Sequence, residues 1–287
     1  MPNPKVSLLG TGLMGAPMAQ RLQAVGYSVT AWNRSADKLM PLQTDGIQVT
    51  ATAPAAIQVS PITITMLSDA DAIKSTVLAQ PTLLKDRTIL QMGTIAPDES
   101  REIQHSVESA GGEYFECPVL GSIPQVKEGA LILMVGATQA QFEQWQDLLK
   151  VLGPSPQLMG SVGAAAATKL AMNQLIGTLT SAFSMSLGLA QREGLDLEKF
   201  MGIVRDSALY APTFDKKLER MCDRNFSNPN FPTKHLLKDM NLFVQAAQAK
   251  GIDPTVAKGV SEVAAKAIQQ GLSEQDYSSI YSAINPE

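Results

Sequence analysis

Two polar side chains stand out in the most apolar stretch of the chain. Between Gly163 and Glu193 the sequence is rich in alanine, and Lys169 is the only charge before Arg192. Asn173 follows Lys169 by four residues, so on a helix the two share a face. A lysine early in an apolar helix is costly unless it meets water, a counter-ion or a ligand. One reading is a lysine that snorkels from a helix start. The other is an ammonium group at a cleft between domains, acting as a general acid. The residues alone divide evenly between the two.

A second pattern says what such an acid would work with. Lys5-Val-Ser-Leu-Leu9 is an apolar strand running into Gly10-Thr-Gly12-Leu13-Met14-Gly15, which opens a helix. In that context G-x-G-x-x-G suits a dinucleotide. Gly10 makes the tight turn, Gly12 lets the backbone approach the pyrophosphate, and Gly15 permits close helix–strand packing. The helix start supplies amide donors and a positive dipole end. After the second strand, NAD enzymes usually place Asp or Glu against the ribose 2′-hydroxyl. Here Asn33, Arg34 and Ser35 stand instead. A guanidinium can hold a 2′-phosphate in bidentate fashion, which an acid would repel. The pattern predicts NADP(H), with reduction by NADPH as the favoured direction. The plainer reading of Arg34 is a solvated surface arginine.

Three more strand ends carry small or polar residues. Glu116-Cys-Pro118-Val-Leu120-Gly121-Ser122 ends a strand and turns, and its amides and hydroxyl suit a small carboxylate. Gln91-Met-Gly93-Thr94 and Met66-Leu67-Ser68-Asp69 end two others. Ligands of open α/β sheets bind beyond such carboxyl ends. Each could also be an ordinary turn.

The elements that must position these residues follow from the alternation of the first half. Strands are predicted at 6–9, 28–32, 62–67, 88–92, 114–117, 131–135 and 157–159, with helices at 15–25, 36–42, 70–77, 97–110 and 139–151. This spacing gives an α/β Rossmann domain with a doubly wound, mostly parallel sheet. Near Gly160 the character changes. One long helix is predicted over 163–193, closed by Gly194. Polar residues from Thr168 to Ser186 interrupt it, which favours a buried interdomain helix over a membrane span. Further helices are predicted from Asp196 to Arg205, over 233–250 and over 254–270. The expected division is therefore a dinucleotide-binding domain, 1–162, and an all-α domain, 163–287, for substrate and oligomerisation.

Composition removes other classes. The 287 residues carry a net charge of −4, so neither nucleic acid nor an anionic membrane is attracted globally. The sequence enters its first strand almost at once, with no visible targeting segment. The two cysteines, Cys117 and Cys222, make no disulfide framework, and a reducing cytoplasm is expected. His105 and His235 lie far apart, and no cluster has metal-ligand spacing.

Taken together, Gly10-x-Gly12-x-Met14-Gly15, Met66-Leu67-Ser68-Asp69, Thr94, Pro118-Val-x-Gly121-Ser122, Lys169-x-x-x-Asn173 and Lys238-Asp239 resemble the β-hydroxyacid dehydrogenases. These include 3-hydroxyisobutyrate dehydrogenase and tartronate semialdehyde reductase. The resemblance spans the chain, including the closing Asp276-Tyr-Ser278. Asn33-Arg34-Ser35 and Glu116-x-Pro118 look most like the NADPH-dependent glyoxylate/succinic semialdehyde reductase branch. The resemblance implies that Lys169 is the catalytic acid and that Asn173, Gly121 and Ser122 hold substrate. It implies cofactor contacts from Leu67, Ser68, Thr94 and Lys238, beside those expected of Leu13, Met14 and Met66 in their motifs. Without it, Lys238 reads better as a surface lysine paired with a nearby acid.

Two positions depart from the family pattern. Leu120 stands where Ser is common, removing a hydroxyl near the substrate carboxylate, and Gly93 replaces a common Ser before Thr94. Both leave the exact substrate open. The expected reaction is reduction of a small carboxylate-bearing aldehyde or keto acid to the hydroxy acid. An imine reductase shares the architecture, but those enzymes generally lack a lysine at position 169. Phosphogluconate dehydrogenases have a larger helical domain. A non-catalytic NADP-binding module should have lost Lys169 or the glycines. A homodimer or homotetramer is implied, and small residues such as Ala182, Gly188 and Ala190 on the long helix permit close packing.

Overall fold

The computed structural model describes residues 4–287. The chain divides into two units, one ending at Lys169 and one running over Leu170–Glu287. The first contains strands β1 (Val6–Leu9), β2 (Val29–Trp32), β3 (Gln48–Val49), β4 (Ile62–Thr65), β5 (Thr88–Gln91), β6 (Glu113–Glu116), β7 (Val119–Leu120), β8 (Ile132–Gly136) and β9 (Gln157–Gly160). Its complete helices are α1 (Gly15–Ala24), α2 (Met40–Thr44), α3 (Ala53–Gln58), α4 (Ala70–Val77), α5 (Pro97–Ser109), α6 (Ile123–Glu128) and α7 (Gln139–Leu152). The sheet order is β3-β2-β1-β4-β5-β6-β8-β7, with β9 on β8. Pairing is parallel from β3 through β6, and β8 runs antiparallel to β6 and β7.

Helices cover both faces, so the strands are buried on both sides, with hydroxyls such as Ser7, Thr30, Thr63 and Thr65 buried among them. Val6 and Leu8 pack with Met18, Leu22, Ile62 and Ile64 on one face. Leu9 packs with Ile57, Ile73 and Ile89 on the other. The strand order reverses at β1/β4, which is where a doubly wound sheet opens its ligand crevice.

The predicted strands all form, with ends moved by one or two residues. The single helix expected over 36–42 is instead a 3₁₀ turn, Ala36–Leu39, followed by α2, with Pro41 in its first turn. The short α3 was not expected, because six residues carry too little periodicity. It starts where the Thr52 hydroxyl accepts the Ala55 amide at 3.3 Å.

Helix α8 (Ala164–Arg192) begins in the first unit and continues into the second. Gly194 follows it with φ +67°, the left-handed close expected there. The second unit continues with α9 (Leu197–Asp206), α10 (Pro212–Cys222), α11 (Thr233–Ala249), α12 (Thr255–Gln269) and α13 (Ile280–Ile284). Asp196 caps α9 as expected, accepting the Glu198 and Lys199 amides. Helices α10 and α13 were not anticipated. Helix α10 is rich in charge, and only Phe214 and Met221 are buried.

The closing Asp276-Tyr-Ser278 motif is a structural pin. Asp276 is fully buried and accepts from the Ser278 hydroxyl at 2.7 Å and the Lys217 ammonium at 2.8 Å. Gly188 of α8 packs against Asn285 of the same chain, whose amide donates to the Ser184 carbonyl at 2.8 Å. The small residue there serves the chain's own tail.

Candidate active site

The first unit presents the dinucleotide elements at the carboxyl ends of β1, β2, β4 and β5. Gly10 has φ +99°, and a Cβ there would collide with the Met66 carbonyl. The turn after β1 thus lies directly against the end of β4. A Cβ on Gly15 would strike the Gly10 carbonyl, whereas one on Gly12 would meet nothing within 4 Å. The backbone at Gly12 is the open point of the turn. Helix α1 begins without a side-chain cap and without an acid in its first turn. Its first amides therefore have no side-chain acceptor at the cap. A depression of about 370 Å³ over this helix start is lined by Thr11, Gly12, Leu13, Lys38 and Lys127, among others. Uncapped amides, an open glycine and two lysines fit a pyrophosphate.

Asn33 has a definite task. Its Oδ1 accepts the Thr11 amide at 3.0 Å, and its Nδ2 donates to the Ser35 carbonyl at 3.0 Å. The end of β2 is thereby tied to the glycine turn. Arg34 and Ser35 are exposed beside it, and among the described residues Arg34 makes no ion pair.

Farther along the edge, Met66 and Leu67 are half-buried, and Ser68 donates to Asp69 at 2.7 Å. Asp69 caps α4 through the Ala72 amide at 2.8 Å. Gln91 is buried, and its amide group both accepts from and donates to the backbone of Gly93. A Cβ on Gly93 would come within 2.7 Å of the Leu67 carbonyl. That close approach accounts for glycine at this departure from the family pattern. Thr94 follows, half-buried.

Leu120 ends β7, half-buried and paired with Ile132. Gly121 has φ +133° and Ser122 caps α6. The Ser122 amide and hydroxyl both donate to Gln125 Oε1, at 2.9 and 2.8 Å. These are donors that the sequence reading gives to a carboxylate. In this structure a carboxamide oxygen accepts from them.

Helix α8 starts on a buried carboxylate. Glu116, at the end of β6, is fully buried, and its Oε1 accepts the Gly163 and Ala166 amides at 2.8 and 2.9 Å. The Ser100 hydroxyl donates to its other oxygen. Burial raises the Glu116 carboxyl above the usual range, and the Ser100 and backbone donors oppose that rise. Lys169 follows three residues after Ala166, half-buried, as the last residue of the first unit.

In the second unit, Asn173 is 2 % exposed and donates to Asp239 Oδ2 at 2.6 Å. Asp239, also 2 % exposed, has its other oxygen 3.0 Å from Lys238 Nζ. The plainer reading of Lys238, a lysine paired with an acid, is thus present. Sequence reasoning gave Asp239 no role, although its adjacency to Lys238 and a predicted helix start were visible. Burial beside Lys238 lowers the nearby His235 below its ordinary value.

Fold and site define a dinucleotide-dependent oxidoreductase: a Rossmann domain, then a helical unit reached through a helix that carries a lysine. Residues 5–163 match the model for the NAD binding domain of 6-phosphogluconate dehydrogenase. Residues 163–284 match the model for the NAD-binding of NADP-dependent 3-hydroxyisobutyrate dehydrogenase. The chain belongs to the β-hydroxyacid dehydrogenase family of NAD(P)-dependent oxidoreductases acting on CH–OH groups. It is 32% identical to glyoxylate/succinic semialdehyde reductase 1 of Arabidopsis thaliana, covering 98% of each chain. It is 28% identical to the chloroplastic reductase 2 of that plant, over 97% of this chain and 79% of that one. Among solved structures, 3-hydroxyisobutyrate dehydrogenase of Mycobacterium tuberculosis shares the fold, with TM-score 0.88, 21% identity and coverage of 98% and 99%. Among the described residues, no helix is long and apolar enough to cross a membrane.

Proposed function

We propose that this protein is an NADPH-dependent reductase of small aldehyde or keto acids, with glyoxylate, succinic semialdehyde or a related semialdehyde as substrate. The observation that carries the reading is the full-length likeness to a glyoxylate/succinic semialdehyde reductase in a chain that keeps Lys169 and Asn173 four residues apart on α8. The balanced reaction is aldehyde plus NADPH plus a proton, giving alcohol plus NADP⁺. When bound, NADPH supplies hydride to the carbonyl carbon. Negative charge develops on the carbonyl oxygen. Lys169, as an ammonium, stabilises that charge and gives its proton to the oxygen. It is then reprotonated from solvent.

Gly10, Gly12, Leu13, Met14 and Gly15 would hold the pyrophosphate. Asn33, Arg34 and Ser35 would hold the 2′-phosphate, with Asn33 fixing the loop and Arg34 supplying the charge. Met66, Leu67, Ser68, Thr94 and Lys238 are assigned to the rest of the cofactor. Gly121, Ser122, Asn173 and Thr94 are assigned to substrate. For Ser122 to serve a carboxylate, Gln125 must release its amide and hydroxyl, and a carboxylate is the stronger acceptor of the two. NADPH and NADH oxidation with glyoxylate, succinic semialdehyde and a cyclic imine tests the assignment. Semialdehyde turnover favouring NADPH is expected. Turnover of the imine but of no aldehyde would assign the protein to imine reduction instead.

Leu120 bears on specificity. Leu120→Ser restores a hydroxyl beside Gly121 and removes apolar bulk. If this position limits glyoxylate or succinic semialdehyde, kcat/KM on them rises about tenfold, the size of one added hydrogen bond. An unchanged kcat/KM would place the selectivity elsewhere.

The protein is further assigned as a homodimer or homotetramer in the cytoplasm. Leu175, Leu179 and Leu189 of α8 are 49, 37 and 63 % exposed and follow one another along one side of the helix. A second copy of the chain would cover this row. Light scattering should give a mass of two or four chains, and Leu179→Glu with Leu189→Glu should lower it. A monomeric parent protein would remove the assignment. Cys117 and Cys222 are both free thiols, in keeping with a reducing compartment.

A further inference from the structure

Glu116 does no chemistry in the reaction above, yet its carboxylate ties β6 to α5 and to the start of α8. Oε1 takes the amides of Gly163 and Ala166, two donors that the start of α8 cannot satisfy internally. Oε2 takes the Ser100 hydroxyl from α5, and that hydroxyl lies 2.8 Å from the Tyr114 hydroxyl on β6. The opposite strand makes room for the group. Gly136 on β8 is the register partner of Glu116, and a Cβ there would come within 2.5 Å of Oε1. Gly163 has φ +97°, and a Cβ on it would run into the Arg101 guanidinium. Two glycines therefore accommodate this junction, one under the carboxylate and one at the helix entry. A fully buried carboxylate is costly unless its hydrogen bonds are met, and here they come from the helix that carries Lys169.

We infer that Glu116 is the positioning residue for Lys169: by holding the Gly163 and Ala166 amides, it fixes where α8 starts and so where the lysine amine stands. Lys169 is three residues beyond Ala166, less than one turn. A tilt of the first turn moves its ammonium directly. Displacements of about 1 Å at a reacting group cost about a hundredfold in rate. The glycine turn, Asn33 and Arg34 follow β1 and β2 and are not tied to this carboxylate by any hydrogen bond described above. Cofactor binding should therefore survive its loss. The inference rests on the proposed role of Lys169.

The two obvious variants separate hydrogen bonding from charge. Glu116→Gln can keep its amide oxygen toward Gly163 and Ala166 and turn its NH₂ toward the Ser100 oxygen. Glu116→Ala leaves the helix amides without a partner. Expected for Glu116→Ala is a fall in kcat of about ten- to a hundredfold, with the NADPH dissociation constant within about twofold of the parent. Expected for Glu116→Gln is recovery of kcat to within about threefold of the parent. Gly136→Ala gives a second route if Glu116→Ala does not fold, because it displaces the carboxylate without removing it. Its kcat should also fall at least tenfold, with NADPH binding kept. Parent-like kcat in a folded Glu116→Ala protein overturns the inference, as does parent-like kcat in Gly136→Ala. So does a Glu116→Gln protein as impaired as Glu116→Ala, which would make charge the cause. Equal losses in kcat and NADPH affinity would mean general loosening and would also overturn it. If the parent turns over no aldehyde in the panel, the proposed function fails and takes the inference with it. The other failures touch the inference alone.

Discussion

Lys169→Ala is expected to lower kcat about a thousandfold while leaving the NADPH dissociation constant within about twofold of the parent. The magnitude follows from two terms lost together. An oriented donor aimed at developing negative charge contributes about a hundred- to a thousandfold, and positioned proton transfer a comparable amount. The two overlap in one group, so their product is not expected. Truncation at Lys169 is survivable because the residue is half-buried near the start of α8, whose amides are held by Glu116. Cofactor affinity should hold because the glycine turn and Asn33–Arg34 follow β1 and β2, away from α8 in the chain. Lys169→Arg is the sharper companion. It keeps a positive charge, but a guanidinium is a far weaker acid than an ammonium. It should recover only a small part of the rate. Steady-state kinetics with fluorescence titration of NADPH checks both variants. Turnover unchanged in Lys169→Ala would falsify the acid assignment.

The second large effect is on cofactor choice. Arg34→Ala should raise the NADPH dissociation constant about a hundredfold and leave that for NADH within about twofold. A hydrogen bond to a charged partner contributes about 1.5–3 kcal/mol, and about 2.8 kcal/mol is a hundredfold. The comparison is clean because the loop does not depend on Arg34. Asn33 holds it, through the Thr11 amide and the Ser35 carbonyl. Arg34 is exposed with no ion pair among the described residues, so no structural partner is lost. Titration of both dinucleotides against parent and variant reads the result. Equal weakening for the two would exclude a 2′-phosphate site at Arg34.

The sequence made the sheet and the cofactor turn legible for a physical reason. Parallel strands covered on both faces read as short runs of aliphatic and β-branched residues, and Val6–Leu9 and Ile62–Thr65 stand out as such, with Ser7, Thr63 and Thr65 buried among them. Glycines at Gly10 and Gly15 were readable because close backbone approaches admit nothing larger, and the Met66 and Gly10 carbonyls occupy that space. Short elements were not legible. Helix α3 depends on a cap, and α10 hides two buried residues among charges. The polar contacts of the site were also out of reach. Nothing in the spacing told that Asn33 would reach back to Thr11, or that Asn173 would bond Asp239. These contacts join residues of different turns and helices, so side-chain pairing appears only once the fold has formed. Glu116 is the strongest case. It sits in a motif read for its small residues, while its role follows from Gly163 and Ala166 some fifty positions away.

On the proposed function, this protein moves a hydride from NADPH to a carbonyl carbon, and Lys169 protonates the oxygen. The direct measurement incubates the protein with succinic semialdehyde, then glyoxylate, and NADPH deuterated at the transferable position, and reads the product by mass spectrometry. Expected is a hydroxy acid carrying a single deuterium on the former carbonyl carbon, formed by the parent protein and almost absent with Lys169→Ala. A hydroxy acid without deuterium, or labelled product formed as fast by Lys169→Ala as by the parent, would contradict it.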